Sequence, residues 1–415
     1  LYDVRYNDDG TVSEIAPKPG SGAPALVKKA LVRDLDGADY PDKLIVPYGE
    51  IVHNRIMLEI FRGCTRGCRF CQAGITYRPV RERTPDQVVS AVMGGLKDTG
   101  YDEVSLTSLS TTDHSCCSQI LARLNRRLAD TGIRVSIPSQ RLDSFGVDMA
   151  LQVAGEKKGG LTFAPEAGSQ RLRDVINKNV TEDDLERATR AAFEAGWRRV
   201  KLYFMMGLPG ERDEDIVAIA NLADKTYELA REVVPKAQRG NVSVSISCSV
   251  FIPKAQTPFQ WCAQTPDEEV KRRQQLLLAS VRNRAVRVHY HDADTSLLEA
   301  VLSRGGRDIT PLIVGAWKRG ARFDAWTEQF DLSRWEDAAA DLGIDLRAVA
   351  STPFDLDMRL PWEHVSPGIK RGFLEREYRK SLEGETTPDC TRTSCTGCGI
   401  CPTIHASNVL VGERG

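Results

Sequence analysis

Seven of the eleven cysteines in this 415-residue chain fall into two short runs. Cys64, Cys68 and Cys71 follow a Cys-x3-Cys-x2-Cys spacing, and Cys390, Cys395, Cys398 and Cys401 lie within twelve residues. Thiols grouped this closely read as metal ligands, whereas a disulfide framework would scatter them. Three thiolates can bind three irons of a four-iron cubane and leave the fourth iron open to a chelating substrate. A closed structural zinc site needs a fourth protein ligand. No Cys or His follows the first run at short range, so a zinc loop there would have to borrow a distant residue.

The surroundings of the first run suit a cluster. Gly63, Gly67 and Gly74 let the backbone wrap closely and offer unhindered N–H groups to sulfides. Arg62, Arg66 and Arg69 would offset negative charge. In the second run Gly397 and Gly399 allow tight turns, and Pro402 follows the last cysteine. This compactness is ferredoxin-like, while zinc ribbons pair two Cys-x2-Cys knuckles across a longer spacer. An auxiliary iron–sulfur cluster, a zinc ion and a regulatory disulfide are the three readings of the tail.

These runs need elements to hold them. Short β-branched stretches near 55–61, 102–107, 133–137, 160–165, 198–205 and 242–251 alternate with helical patterns, which predicts six βα units and an all-parallel sheet. Thr84-Pro85-Asp86-Gln87 predicts a capping box at one helix start, and Thr181 to Asp184 begins another that ends before Gly196. Six units make either an open doubly wound sheet or an incomplete barrel, and periodicity does not separate them. In either, the first cysteine run sits on the loop after strand one, where such folds gather active-site loops.

The fold class is therefore α/β. Pro- and Gly-rich residues 17–25 and 40–48 predict an extended lead-in over 1–53, and the regular pattern over 54–290 follows it. An extra strand is expected at 286–290, then a helical extension over 291–389 and the Cys-rich tail over 390–415. Trp317, Trp326, Trp335 and Trp362 in the extension are expected in a core rather than on a base-stacking platform.

With 41% apolar residues the chain can bury a large core, and it lacks both a run of about eighteen apolar residues and a secretory leader pattern. It is expected to be cytoplasmic and without membrane contact. A net charge of −1 leaves no overall footprint for nucleic acid. The local basic stretch of Lys271, Arg272, Arg273, Arg282, Arg284 and Arg287 is expected to be a solvated helix face.

The three-cysteine spacing, with the aromatic Phe70 before Cys71, resembles the signature of the radical S-adenosylmethionine (SAM) superfamily. The resemblance covers about residues 50 to 290. It implies an incomplete (βα)6 barrel, a 4Fe-4S cluster on Cys64, Cys68 and Cys71, and reductive cleavage of SAM to a 5′-deoxyadenosyl radical. An electron donor such as flavodoxin or ferredoxin and a substrate of unknown identity are its implied partners.

Residues after the later strands extend the resemblance. Ser108 and Ser110 can meet the SAM amino group or cap the next helix. Arg141, Glu166 and Ser169 suit ribose and carboxylate contacts, although Glu166 could instead pair with Arg171 or Arg173. Gly207-Leu208-Pro209-Gly210-Glu211 is similar to the GxPGE turn of enzymes related to tRNA methylthiotransferases and the Elongator catalytic subunit, with Gly207 and Pro209 close to the adenine. Pro253-Lys254 and Thr257-Pro258 fit the same branch. Cys116 and Cys117 read as small buried hydrophobes or as radical relays.

Taken together, the chain looks most like an uncharacterised family of radical SAM proteins that carry a cobalamin-binding domain before the barrel. No such domain is present in these residues, and the Leu1 start fits a missing N-terminal half. The resemblance implies cobalamin in the full-length protein and methyl transfer as its reaction. Methylthiolation of RNA or protein, and a non-catalytic zinc-stabilised RNA-binding module, are the competing functions.

Overall fold

A computed structural model describes residues 1–41, 43–138, 140–153 and 160–412. The lead-in is only partly extended, because β1 (Tyr2–Tyr6) and β2 (Val12–Pro17) close an antiparallel hairpin over the Asp8-Asp9-Gly10 turn. The two-residue β3 (Val27–Lys28) follows.

The parallel core begins at β4 (Ile56–Glu59). The short antiparallel pair β5 (Phe61–Arg62) and β6 (Arg81–Glu82) brackets the first cysteine loop and α1 (Gln72–Thr76). Strands and helices then alternate: α2 (Pro85–Thr99), β7 (Glu103–Thr107), α3 (Cys117–Arg127), β8 (Arg134–Ser136), α4 (Val147–Val153) and β9 (Leu161–Glu166). After α5 (Gln170–Val175) and α6 (Glu182–Glu194) come β10 (Arg199–Met206), α7 (Asp213–Val233), β11 (Ser243–Val250), α8 (Asp267–Ser280) and β12 (Val286–Tyr290). The extra strand expected at 286–290 is β12.

These strands form two parallel arcs, β4-β7-β8 and β9-β10-β11-β12, and no closed barrel is formed among the described residues. One apolar core spans both arcs, with Ile56, Leu106, Phe163, Leu202 and Ile246 at its centre and helix residues such as Val92 and Ile219 packed on them. Burial alternates along β4, β9 and the first half of β10, so one face of each strand meets the core and the other is more open.

The helix starts show what local sequence can and cannot specify. At the helix start expected from Thr181 to Asp184, α6, a capping box is complete: Thr181 Oγ1 accepts from Asp184 N at 3.1 Å and Asp184 Oδ2 accepts from Thr181 N at 2.8 Å. At α2 only half forms, Thr84 Oγ1 accepting from Gln87 N at 3.3 Å. The returning bond is replaced by Asp36 of the lead-in, whose Oδ1 accepts from Thr84 N at 2.9 Å while Gln87 Nε2 turns to the Asp36 carbonyl.

The extension is helical, built from α9 (Ala293–Arg304), α10 (Ile309–Lys318), α11 (Ser333–Leu342), α12 (Leu346–Ser351) and α13 (Arg371–Glu383). Between α12 and α13, β13 (Val365–Ser366) pairs in parallel with β3, tying the extension to the lead-in. Trp335 is buried and Trp362 is half-buried, but Trp317 and Trp326 are exposed, against the expectation of a core role for all four. The tail carries α14 (Ile400–Thr403). No described helix is long and apolar enough to cross a membrane.

Lys271, Arg272, Arg282, Arg284 and Arg287 of the basic stretch are exposed, as expected, while Arg273 is half-buried. Arg272 pairs with Asp213 and Glu269, and Arg273 turns inward to Glu211 Oε2 at 2.6 Å. Asp213 on α7, Glu269 on α8 and Glu211 just before α7 thus take up the charge of Arg272 and Arg273.

Candidate metal centre

The first cysteine run occupies the loop between β5 and α1, as its position after the first core strand predicts. Its turn has to be glycine: Gly63 has φ of +99°, and a Cβ there would lie 2.4 Å from the Pro79 carbonyl oxygen and 2.8 Å from that of Tyr77. Cys71 is the N-cap of α1, and its Sγ accepts from Gly74 N at 3.3 Å. Burial pushes the Cys64 thiol up to about 12, with Cys68, Asp113 and Cys71 adding to the rise. Burial likewise raises Cys71, with Cys68 next in effect.

Thiols this reluctant to ionise, close enough to feel one another, gain most when a cation replaces their protons. Three sulfur donors on one glycine-turned loop with an N–H already aimed at sulfur fit an iron–sulfur cluster. Among the described residues, no three Cys, His, Asp or Glu side chains already close round a common metal point.

The arginines beside the cysteines, expected to offset cluster charge, also pair with acids. Arg62 pairs with Glu59 at 2.6 Å. Arg69 is fully buried, facing Glu377 Oε2 at 3.2 Å and donating to the Val175 carbonyl at 2.9 Å. Arg66 donates to Asp113 Oδ2 and Asp143 Oδ2, each at 2.9 Å, with Asp389 Oδ2 at 3.5 Å. Asp113 follows β7, Asp143 follows β8 and Asp389 precedes the tail cysteines, so one guanidinium gathers three segments.

The predicted cofactor residues divide. Glu166, the last residue of β9, has φ of +69° and accepts from Lys178 Nζ at 3.2 Å. It does not pair with Arg171 or Arg173: Arg171 binds Asp215, and Arg173 donates to the Gly168 carbonyl at 3.0 Å. Left-handed backbone at a glutamate is costly and persists where the surroundings enforce it. Arg141 is buried, donates to Asp143 Oδ1 at 2.9 Å and to the Lys178 carbonyl at 3.0 Å, and lies close enough to Cys68 to sense its charge. Glu166, Lys178 and Arg141 thus stand together beside the cysteine loop.

Ser108 and Ser110 sit at the end of β7 but make turn contacts. Ser108 Oγ lies 3.0 Å from Thr111 Oγ1 and accepts from Ser110 N at 3.2 Å, while Ser110 Oγ donates to Asp113 at 2.6 Å. Ser110 nevertheless borders the cavity that also touches Cys64 and Arg66. Ser169 is the N-cap of α5, accepting from Leu172 N at 3.1 Å and donating to Asp215, so its hydroxyl is spent on structure.

Gly207 has φ of +86°, donates to Glu211 Oε2 at 2.6 Å and accepts from Thr265 Oγ1 at 3.2 Å. The turn it opens carries Pro209 and puts Leu208 into the apolar cluster on which Phe70 packs. Phe70 therefore joins the cysteine loop to the end of β10. Cys117 is buried and Cys116 half-buried.

Sequence reasoning missed Asn177, Lys178, Asp143 and Asp389. One signal for the first two lay in Asn177-Lys178-Asn179, where both asparagines have φ of +52°, a region Asn tolerates better than most residues.

The second cysteine run lies against the first. Asn177 Nδ2 donates to the carbonyls of Gly67 and Thr387, both at 3.0 Å, and Thr65 Oγ1 is 3.4 Å from Thr391 Oγ1. The space left between Cys64, Arg66, Asp389 and Arg392 is only about 40 Å³.

Residues 58–223 match the family described as the Radical SAM superfamily. Residues 58–223 thus carry the domain of an enzyme superfamily. An uncharacterised protein of Methanocaldococcus jannaschii is 30% identical over 316 residues, 74% of this chain and 66% of its own length. This chain thus spans just under two thirds of that relative. Among solved structures, the radical SAM methyltransferase TsrM from Kitasatospora setae, with cobalamin and a 4Fe-4S cluster bound, is 18% identical with a TM-score of 0.37, covering 47% of this chain and 36% of its own. The cobalamin-dependent enzyme OxsB is 12% identical with a TM-score of 0.40, covering 97% of this chain and 62% of its own. At these identities and scores the likeness is distant.

Proposed function

We propose that Cys64, Cys68 and Cys71 hold a 4Fe-4S cluster and that this chain binds SAM beside it, cleaving it reductively to a 5′-deoxyadenosyl radical that modifies a substrate. The observation that carries the reading is the convergence of the cysteine loop with Glu166, Lys178 and Arg141 at the carboxyl ends of parallel strands. When bound, such a cluster supplies the electron that breaks the sulfonium S–C5′ bond and an open iron that chelates the amino and carboxylate groups of SAM.

The chain's own part is position and exclusion of water. Glu166, fixed by Lys178, accepts from a ribose hydroxyl, and Arg141 supplies positive charge on the carboxylate side. Ser108 and Ser110 line the approach of the amino group, Phe70 backs the loop, and the Gly207 to Pro209 turn lets the adenine edge approach backbone. A one-electron donor such as flavodoxin or ferredoxin completes the reaction. In a longer protein carrying a cobalamin-binding domain, the whole reaction is methyl transfer to an unknown substrate.

Anaerobic reconstitution followed by mass detection of 5′-deoxyadenosine and methionine tests this, with and without cobalamin. Cys64→Ala, Cys68→Ala and Cys71→Ala should each abolish both products in a folded chain, since the ligands lie on a loop. Wild-type product from any of the three would end the reading.

A further inference from the structure

The second cysteine run is tied into the fold by backbone and side-chain bonds, although among the described residues its sulfurs do not yet close round one metal point. Gly397 N donates to Cys395 Sγ at 3.4 Å, and Asn408 Nδ2 donates to Cys390 Sγ at 3.8 Å. Lys370 N anchors the Cys398 carbonyl and Ala406 N that of Cys401, each at 3.0 Å. Gly397 and Gly399 have φ of +75° and +86°, and a Cβ on Gly399 would lie 2.4 Å from Lys370 Cγ. Cys398 is buried in an apolar cluster with Ile75, Trp261, Phe373 and Ile400. Ile75 belongs to α1, so the packing that seats this run begins four residues after Cys71.

Charge fits as well. The four thiols lie within twelve residues, with Cys401 in α14 and Cys398 just before it. Arg78 and Lys29 face these thiols: Arg78 acts on Cys390 and Cys401, and Lys29 lies near Cys398 and Cys401 while donating to the Thr76 carbonyl at 2.8 Å. Arg78 Nε also donates to the Cys64 carbonyl at 3.1 Å and to that of Gly74 at 2.9 Å, so one buried cation stands between the two cysteine runs.

We propose that Cys390, Cys395, Cys398 and Cys401 bind a second metal centre, an iron–sulfur cluster with four protein thiolates, which clamps residues 387–392 over the first cysteine loop. Two consecutive two-residue spacings followed by Pro402 match ferredoxin-type ligation, and the long spacer between zinc knuckles is missing. The clamp follows from adjacency. Fixing Cys390 fixes Asp389, which meets Arg66, and Thr391, which meets Thr65. The far end of the tail is tied by Val409 N to the Val80 carbonyl at 2.8 Å and by Asn408 Oδ1, which accepts from Val80 N at 2.9 Å. The site stands independently of the cluster assigned to the first loop.

The test is iron, zinc and sulfide per chain after anaerobic reconstitution of three proteins. Wild type should hold about eight irons, two cubanes. Replacing all four tail cysteines by Ala should halve the iron. Replacing Cys64, Cys68 and Cys71 together should also halve it, and the iron remaining there belongs to the tail. Iron absent from that triple variant, or about one zinc per chain in its place, overturns the proposal. If the tail variant fails to fold, the triple variant alone decides. A wild type with two clusters but no SAM cleavage would refute the function proposed above and leave this site standing.

Discussion

Lys178 Nζ lies 3.2 Å from Glu166 Oε1, a cation from the turn after α5 fixing a carboxylate whose own backbone is left-handed. The pair is partly buried, with side-chain exposures of 11% and 18%, so its geometry is set before any ligand arrives. A pre-placed acceptor loses little freedom when it takes up a hydroxyl.

Glu166→Gln should keep the contact with Lys178 through the amide oxygen but weaken the acceptor offered to SAM. The dissociation constant for SAM, read by equilibrium binding to the reconstituted protein, is expected to rise about tenfold, corresponding to about 1.4 kcal/mol. Iron content should stay unchanged. Unaltered affinity would remove Glu166 from the binding residues.

The charge cluster round Arg66 sets an acid limit. Burial alone would raise the carboxyl of Asp143, but Arg141 and Arg66 outweigh it and hold the group below its ordinary 3.8. At Asp389 burial is likewise outweighed by bonds from Thr65 and Thr391 and by Arg66. A folded value below the unfolded one means that this stabilisation is complete above about pH 4 and lost as pH falls through the folded values. Hydrogen exchange at 387–392 should therefore accelerate below about pH 4 before the barrel core responds. Arg66→Met removes the cation that three carboxylates share, although Asp143 keeps Arg141, Asp113 keeps Ser110 and Asp389 keeps Thr391, and should cost up to about 3 kcal/mol at neutral pH by denaturant unfolding.

The contrast between these contacts and the strands shows what the sequence made legible. Each core strand was readable because it is a short run rich in β-branched and apolar residues, as Val200, Leu202 and Phe204 are on the buried face of β10. The cysteine loops were readable because ligand spacing is local. The docking of Asp389 on Arg66 was not, since it joins residues far apart in the chain through two charges that look like ordinary surface groups. The division of the strands into two arcs was equally hidden, because which strands pair depends on packing between segments and not on the local pattern of either strand. Ser169 caps α5 and bonds Asp215, a structural role that a Ser after a strand suits as well as a ligand role and that the sequence does not separate from it.

Glu211 sets a second, opposite pH dependence. Burial raises its carboxyl from 4.5 to about 7, against the pull of the bond from Gly207 N and the Arg273 charge. One carboxylate oxygen, Oε1, has no partner among the described residues. Because the folded value lies above the unfolded one, the folded chain is favoured by this proton below about pH 4.5 and loses that advantage as pH rises towards 7. The melting temperature of wild type should fall over that interval more than that of Glu211→Gln, whose side chain does not titrate. Parallel curves for the two proteins would reject the assignment.

Asn177 offers the sharpest test of how the tail sits on the first loop. It is fully buried, and its amide bridges the two segments: Nδ2 donates to the Gly67 and Thr387 carbonyls at 3.0 Å, while Oδ1 accepts from Thr387 N at 2.8 Å. Gly67 must remain glycine for this, since a Cβ there would lie 3.0 Å from Asn177 Nδ2. Asn177→Asp changes almost no volume but turns the donor into a second acceptor facing two carbonyl oxygens, and it buries a charge. Each unsatisfied buried group costs about 1–3 kcal/mol, and more when charged. The expected result is a folded barrel with the tail released, read as rapid hydrogen exchange or proteolytic cleavage at 387–392 while α6 and α7 stay protected. Asn177→Ala, which removes the bonds without adding charge, should release the tail less. If Asn177→Asp leaves 387–392 as protected as in wild type, the bridge does not hold the tail, and the contact of Asp389 with Arg66 must suffice alone.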